Sequence, residues 1–207
     1  MVRAGGSPKQ GILMATNIAE RPLVSIAMPE SGAARLVVQI LLVVAGSILL
    51  WLSAKAKVVL GPVDLSLQTL AVLLIGATYG LRLGVSTLLL YLAQGAAGLP
   101  VFQSTPEKGI GLAYMVGPTG GYLAGFLVMA AIVGWAVDQG WGKSVVKLFG
   151  AMLVAEIVMM AMGFAWLAYL IGADKSWLYG VQPFIVPDLI KVALAALLVP
   201  AASRLRG

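Results

Sequence analysis

Six apolar stretches dominate the chain between Leu36 and Pro200: Leu36–Leu52, Leu65–Tyr79, Leu83–Ala97, Tyr122–Val137, Val145–Leu170 and Phe184–Val199. A helix needs roughly 17–25 mainly apolar residues to cross a bilayer. The second and third stretches therefore reach across only with their small or polar flanks. Of the 207 residues, 60% are hydrophobic and 11% charged, and mean hydropathy is +0.98. A soluble domain carries about twice that charge. The reading is an all-α integral membrane protein, a six-transmembrane-helix bundle over residues 35–207 with a cytoplasmic N-terminal tail over residues 1–34.

Composition removes whole classes of function. There is no Cys, so no disulfide, thiolate nucleophile or cysteine metal site. There is no His, which excludes catalytic triads, haem ligation and His-Glu-x-x-His zinc chemistry. A net charge of +6 is accounted for by basic cytoplasmic loops beside anionic lipid, so no nucleic-acid partner is expected. The longest apolar run in the tail is Ile12–Ala15, short of the 7–15-residue core of a signal peptide.

Topology follows from Lys and Arg. With the N-terminus inside, the inner set is Arg3, Lys9, Arg21, Arg35, Arg82, Lys143, Lys147, Arg204 and Arg206, against Lys55, Lys57, Lys108 and Lys175 outside. Both termini are expected in the cytoplasm, with Lys55 and Lys57 a local violation beside Asp64. The outer segments are then Ala54–Ser66, Gly98–Gly121 and Gly172–Pro187, and these hold Pro62, Pro100, Pro106, Pro118, Pro183 and Pro187. Irregular backbone near a membrane must be buried in protein or line a wet cavity. The expectation is a pocket that receives something from outside.

Ionisable residues inside spans are rare and usually functional. Asp188 and Lys191 stand three apart after Pro187, on one helix face. They read either as an ion pair cancelling two buried charges or as contacts to a polar ligand. Glu156 lies eleven residues into the fifth stretch. It reads as a proton relay, a ligand contact, a partner of Lys191, or a neutral structural acid. Gln68, Thr69 and Gln94 are either helix–helix glue or cavity-lining groups. Gly76, Gly80 and Gly84, and Gly121 with Gly125, are spaced for close helix packing. The segment 117–122, Gly-Pro-Thr-Gly-Gly-Tyr, is not a Walker A loop because no Gly-Lys-Ser/Thr follows. No ATPase machinery is visible in the chain.

Several segments resemble the BioY family, the biotin-capturing S components of energy-coupling factor (ECF) transporters. They are Gly-Pro-Val at 61–63, Leu-Gln-Thr at 67–69, Gly-Leu-Pro-Val-Phe at 98–102, the run Thr105–Tyr114, Gly-Pro-Thr-Gly-Gly-Tyr-Leu at 117–123, and Asp188-Leu-Ile-Lys191. The chain departs from the family pattern at Asp64 and at Val186-Pro187. The resemblance implies an outward biotin pocket roofed by loops. Lys191 or Lys108 would meet the carboxylate, Asp188 the ureido N–H groups, and Tyr114, Thr119 and Tyr122 the ring system, with Gln94 at the rim. It also implies a transmembrane coupling subunit and cytosolic ATPases as partners, the cell inner (cytoplasmic) membrane as location, and neither catalysis nor a cofactor. The rival readings are a subunit for another small vitamin and an ion-coupled secondary transporter using Glu156.

Overall fold

The computed structural model describes residues 22–24, 28–29 and 32–204. The expected tail over residues 1–34 lies almost wholly outside them, as do Arg3, Lys9, Arg21 and Arg206. Regular structure in the described chain is helical apart from one ladder of two-residue strands. Helices α1 (Gly32–Lys55), α2 (Gln68–Ala96), α3 (Gly111–Met115), α4 (Gly120–Asp138), α5 (Val145–Ile171), α6 (Ala173–Ser176) and α7 (Ile185–Arg204) follow in order. A π-helical turn, Trp177–Val181, and a 3-10 turn, Gln182–Phe184, lead into α7. Strands β1 (Lys57–Val58) and β2 (Leu65–Ser66) pair antiparallel between α1 and α2. The apolar pattern gave no sign of that ladder, because two residues per strand carry no readable alternation.

Among the described residues, five helical segments are long and apolar enough to cross a membrane: α1, α2, α4, α5 and the segment Ala173–Arg204. The six predicted stretches map onto these five because α2 contains two of them. Gly80 breaks it, with φ 76° and ψ −177°, a region where glycine alone is unstrained. The chain folds back there. Gln68 Nε2 donates to Tyr91 Oη at 2.9 Å, although a straight helix would hold those residues roughly 34 Å apart. A Cβ added to Gly84 would lie 3.5 Å from Gly76 Cα. The glycine triplet therefore makes a corner flanked by two bare surfaces, more than the helix-packing stripe its spacing predicts. Asp138 fixes the corner by accepting from the Leu81 amide at 3.1 Å.

Around this hairpin the other helices assemble. α2 packs against α1, α4 and α7, and α5 joins α4 to α7. Leu73, Leu88, Met129, Leu148, Met152 and Val192 fill the interior. Their outward counterparts, among them Leu36, Ile40, Leu41, Leu52, Ile157 and Leu197, stay exposed. In water such a surface would be unstable; in lipid it is the correct solvent face. The protein is a multi-pass membrane protein.

Candidate functional site

A narrow pocket with a free volume of about 30 Å³ lies at the end of the bundle where the predicted outer segments converge, tighter than the roughly 300–1,000 Å³ of a drug-sized ligand site. Val63, Asp64 and Ser66 reach it from the β1–β2 hairpin, Gln103, Tyr114 and Thr119 from the loop region 98–119, and Gln68 and Thr69 from the start of α2. Tyr122, Leu123 and Phe126 of α4, Met159 and Met160 of α5, and Phe184 complete the apolar wall. Asp188 sits at the α7 side.

Glycine and aromatic residues set the roof. Phe102 is buried against Gly95, where an added Cβ would come within 2.0 Å of the ring. Its ring stacks on Tyr114 at 5.2 Å and meets Tyr91 edge-on at 5.3 Å. Tyr91 Oη in turn donates to Val101 O at 3.0 Å. Burial pushes the Tyr114 hydroxyl up to about 12, partly countered by its bond with Thr119, so it stays a neutral hydrogen-bonding group at physiological pH. On the α4 side, Tyr122 Oη donates to Gly180 O at 2.7 Å. Trp166 Nε1 donates to Gly117 O at 2.8 Å, tying the glycine turn to α5.

Lysines hold the roof down. Lys55 Nζ donates to Phe102 O at 3.0 Å and Thr105 O at 2.9 Å, and Lys57 Nζ to Ser104 Oγ at 2.7 Å. The two residues that break the positive-inside count are thus used as loop anchors. Lys108 Nζ reaches Gly61 O at 2.6 Å and both Asp64 oxygens at 3.0 Å. Asp64 also accepts from Ser104 Oγ and the Leu60 amide. Desolvation raises its pKa, but the donors at Ser104, Lys108 and Leu60 outweigh that and hold the carboxyl below its ordinary value.

Deeper in, Lys191 Nζ donates to Asp188 Oδ1 at 2.6 Å and to Ser66 O at 2.7 Å. Both residues are buried, with 6% and 2% exposure. Asp188 Oδ2 receives no hydrogen bond among the described residues. A buried carboxylate oxygen without a donor is costly, and this one belongs to a residue lining the pocket. It is an acceptor available to a ligand's N–H groups.

A family model for the BioY family matches residues 23–207. The chain belongs to the BioY family. It is 38% identical over 154 residues to the protein named "Probable biotin transporter BioY" of Pyrococcus horikoshii, covering 74% of this chain and 87% of that one. It is 36% identical over 152 residues to "Biotin transporter BioY" of Thermotoga maritima, covering 72% and 86%. With "Biotin transporter BioY2" of Lactococcus lactis it shares 32% over 158 residues, covering 75% and 85%. The fold matches the crystal structure of the S-component for biotin from an ECF-type ABC transporter, with a TM-score of 0.71 at 22% identity, over 85% of this chain and 94% of that one. These relatives are named as transporters, not as enzymes.

Of the residues singled out in the BioY-like sequence, the structure brings Tyr114, Thr119, Tyr122 and Asp188 to one pocket, with Lys191 bonded to Asp188. Lys108 reaches the same pocket through Asp64. Glu156 lies behind Asp188, where both line a second, apolar groove on α5 and α7. Gln94 is elsewhere. It faces a groove formed with Ile48, Trp51 and Leu99, and its Nε2 approaches Ser47 Oγ at 3.4 Å. Asp64 and Gln103 escaped the sequence reading as site residues, since each stands in a loop with no helical register to assign it a face. The one available signal was the departure from the family pattern at Asp64.

Proposed function

We propose that this BioY-family chain captures biotin from outside the cell and carries it across the cytoplasmic membrane as the substrate-binding subunit of an ECF-type transporter. The observation that carries the reading is Asp188, a buried carboxylate paired to Lys191 with one oxygen free at the pocket floor. Biotin offers ureido N–H donors, an apolar thioether ring and chain, and a carboxylate. The donors suit Asp188 Oδ2, the ring suits Tyr122, Phe126, Met159 and Phe184, and the carboxylate suits the exposed side of Lys108 at the mouth. Gln94 stands outside this assignment.

The folded-back α2 supports six crossings, with both termini in the cytoplasm as the charge count requires. The pocket then faces outward, and residues 35–207 act as one substrate-binding domain behind the tail. The sequence contains no Walker A motif, so accumulation against a gradient is assigned to a transmembrane coupling subunit and cytosolic ATPases. Lipid covers the apolar flanks, and no cofactor, catalytic step or nucleic acid takes part. Equilibrium binding of labelled biotin to detergent-purified chain tests the reading. Saturable binding displaced by excess biotin and not by thiamine supports it, and displacement by thiamine in place of biotin points to a subunit for another vitamin.

A further inference from the structure

The buried charges around the pocket do not cancel. Asp64 is matched by Lys108 and Asp188 by Lys191. Glu156, only 7% exposed, forms no ion pair among the described residues. Neither of its oxygens, nor Asp188 Oδ2, receives a hydrogen bond among the described residues. The two carboxyls nevertheless line one apolar groove between α5 and α7. Two carboxylates cannot bond to one another, because both are acceptors. With one proton shared between them, one carboxyl can donate an O–H···O bond to the other, two of the three orphaned oxygens gain a partner, Asp188 Oδ2 keeps a second lone pair for a ligand, and the buried charge sums to zero.

We propose that Glu156 and Asp188 form a proton-binding site behind the ligand pocket, and that its occupancy sets the affinity of the pocket for a ligand that offers N–H groups. Asp188 lines both the pocket and the apolar groove containing Glu156, so one carboxyl touches both sites. Other ionisable groups on the elements around α5 are committed or remote. Tyr122 is bonded to Gly180 O and Asp138 to the Leu81 amide. Asp174 and Lys175 beyond the end of α5, and Lys143 before its start, are exposed. Sodium fits less well, since three oxygens fall short of its usual shell and the Lys191 ammonium already sits 2.6 Å from Asp188. Without the proton, Glu156 adds a second negative charge beside Asp188, competes for Lys191, and disturbs the carboxylate that receives the ligand's N–H groups.

This linkage rests on the biotin reading, whereas the proton itself does not, so two measurements separate them. Infrared difference spectra of unliganded protein should show a protonated-carboxyl stretch that Glu156→Gln removes. Labelled-biotin binding to wild type should weaken by about tenfold per pH unit once the proton is lost, the slope of a one-proton linkage. Glu156→Gln should keep the acid-side affinity and abolish that slope. Absence of the carboxyl band overturns the proton site in wild type alone, whatever the variant's stability. Affinity that follows sodium and not pH, or a slope unchanged in Glu156→Gln, also overturns it. A band that is present without biotin binding at any pH upholds the site and refutes the biotin reading instead.

Discussion

Asp64 and Lys108 meet at 3.0 Å and join the β1–β2 loop to the roof loop across 44 residues of sequence. The Asp64 side chain is fully buried while that of Lys108 is 36% exposed. The cation is therefore screened, and the pair alone is worth about 1 kcal/mol or less. The stronger term is on the acid's side: Ser104 Oγ and the Leu60 amide also donate to it, and both lose their charged acceptor if it goes.

Asp64→Asn should accordingly loosen the roof. Amide hydrogen exchange across residues 101–109 should accelerate by roughly tenfold, for a loss of about 1–2 kcal/mol. The pH dependence has a definite sign. Because the Asp64 pKa is depressed in the fold, its contribution is fully present above the ordinary carboxylate value of about 3.9. It is lost only as pH falls through the lower folded value. Protection of this loop, measured relative to the intrinsic exchange rate at each pH, should be unchanged between neutral and mildly acidic pH; lower protection already at mildly acidic pH contradicts the assignment.

Gly80 is the corner of the α2 hairpin. An added Cβ would meet Asp138 Oδ1 at 2.5 Å, and the φ of 76° is strained for any L side chain. Gly80→Ala should cost about 1–3 kcal/mol, read as a lower unfolding midpoint in detergent. Gly150→Ala, where nothing lies within 4 Å of an added Cβ, is the control and should leave the midpoint unchanged or slightly raised. Equal effects at the two positions would remove the hairpin from the account.

Topology is testable because the native chain has no cysteine. Glu107 and Lys143 are both exposed, one in the roof loop and one between α4 and α5. Glu107→Cys should react with an impermeant maleimide added to intact cells, and Lys143→Cys only after permeabilisation. Reaction of both from the same side contradicts the outward pocket.

The helices were legible because a span announces itself by length and apolarity. The resemblance at 98–123 and at Asp188–Lys191 picked out segments that the fold brings to one end of the bundle. Three features were not legible, each for a physical reason. Gly80 looked like one of three equivalent glycines, since spacing does not reveal a positive φ. Gln94 read equally as helix–helix glue or as a pocket contact, since its rotation about the helix axis depends on where α1 packs, and it faces Ser47 of α1. Asp64 looked like a local counter-charge for Lys55 and Lys57, yet its partner is Lys108, and those two lysines bind the roof. Loop contacts between residues more than 40 positions apart leave no periodic trace.

The central claim is that Asp188 is where biotin's ureido group is held, and one measurement reaches it directly. Labelled-biotin affinity is determined for wild type, Asp188→Asn and the double variant Asp188→Asn, Lys191→Met, each checked for monodispersity. Asp188→Asn keeps the shape of the side chain and removes a charged acceptor, so affinity should fall by roughly a hundredfold, from a few kcal/mol of lost contact. The double variant removes the buried charge imbalance, so it should regain stability and still bind weakly. A well-folded double variant with wild-type affinity would mean that Asp188 and Lys191 only neutralise each other and that biotin is held elsewhere.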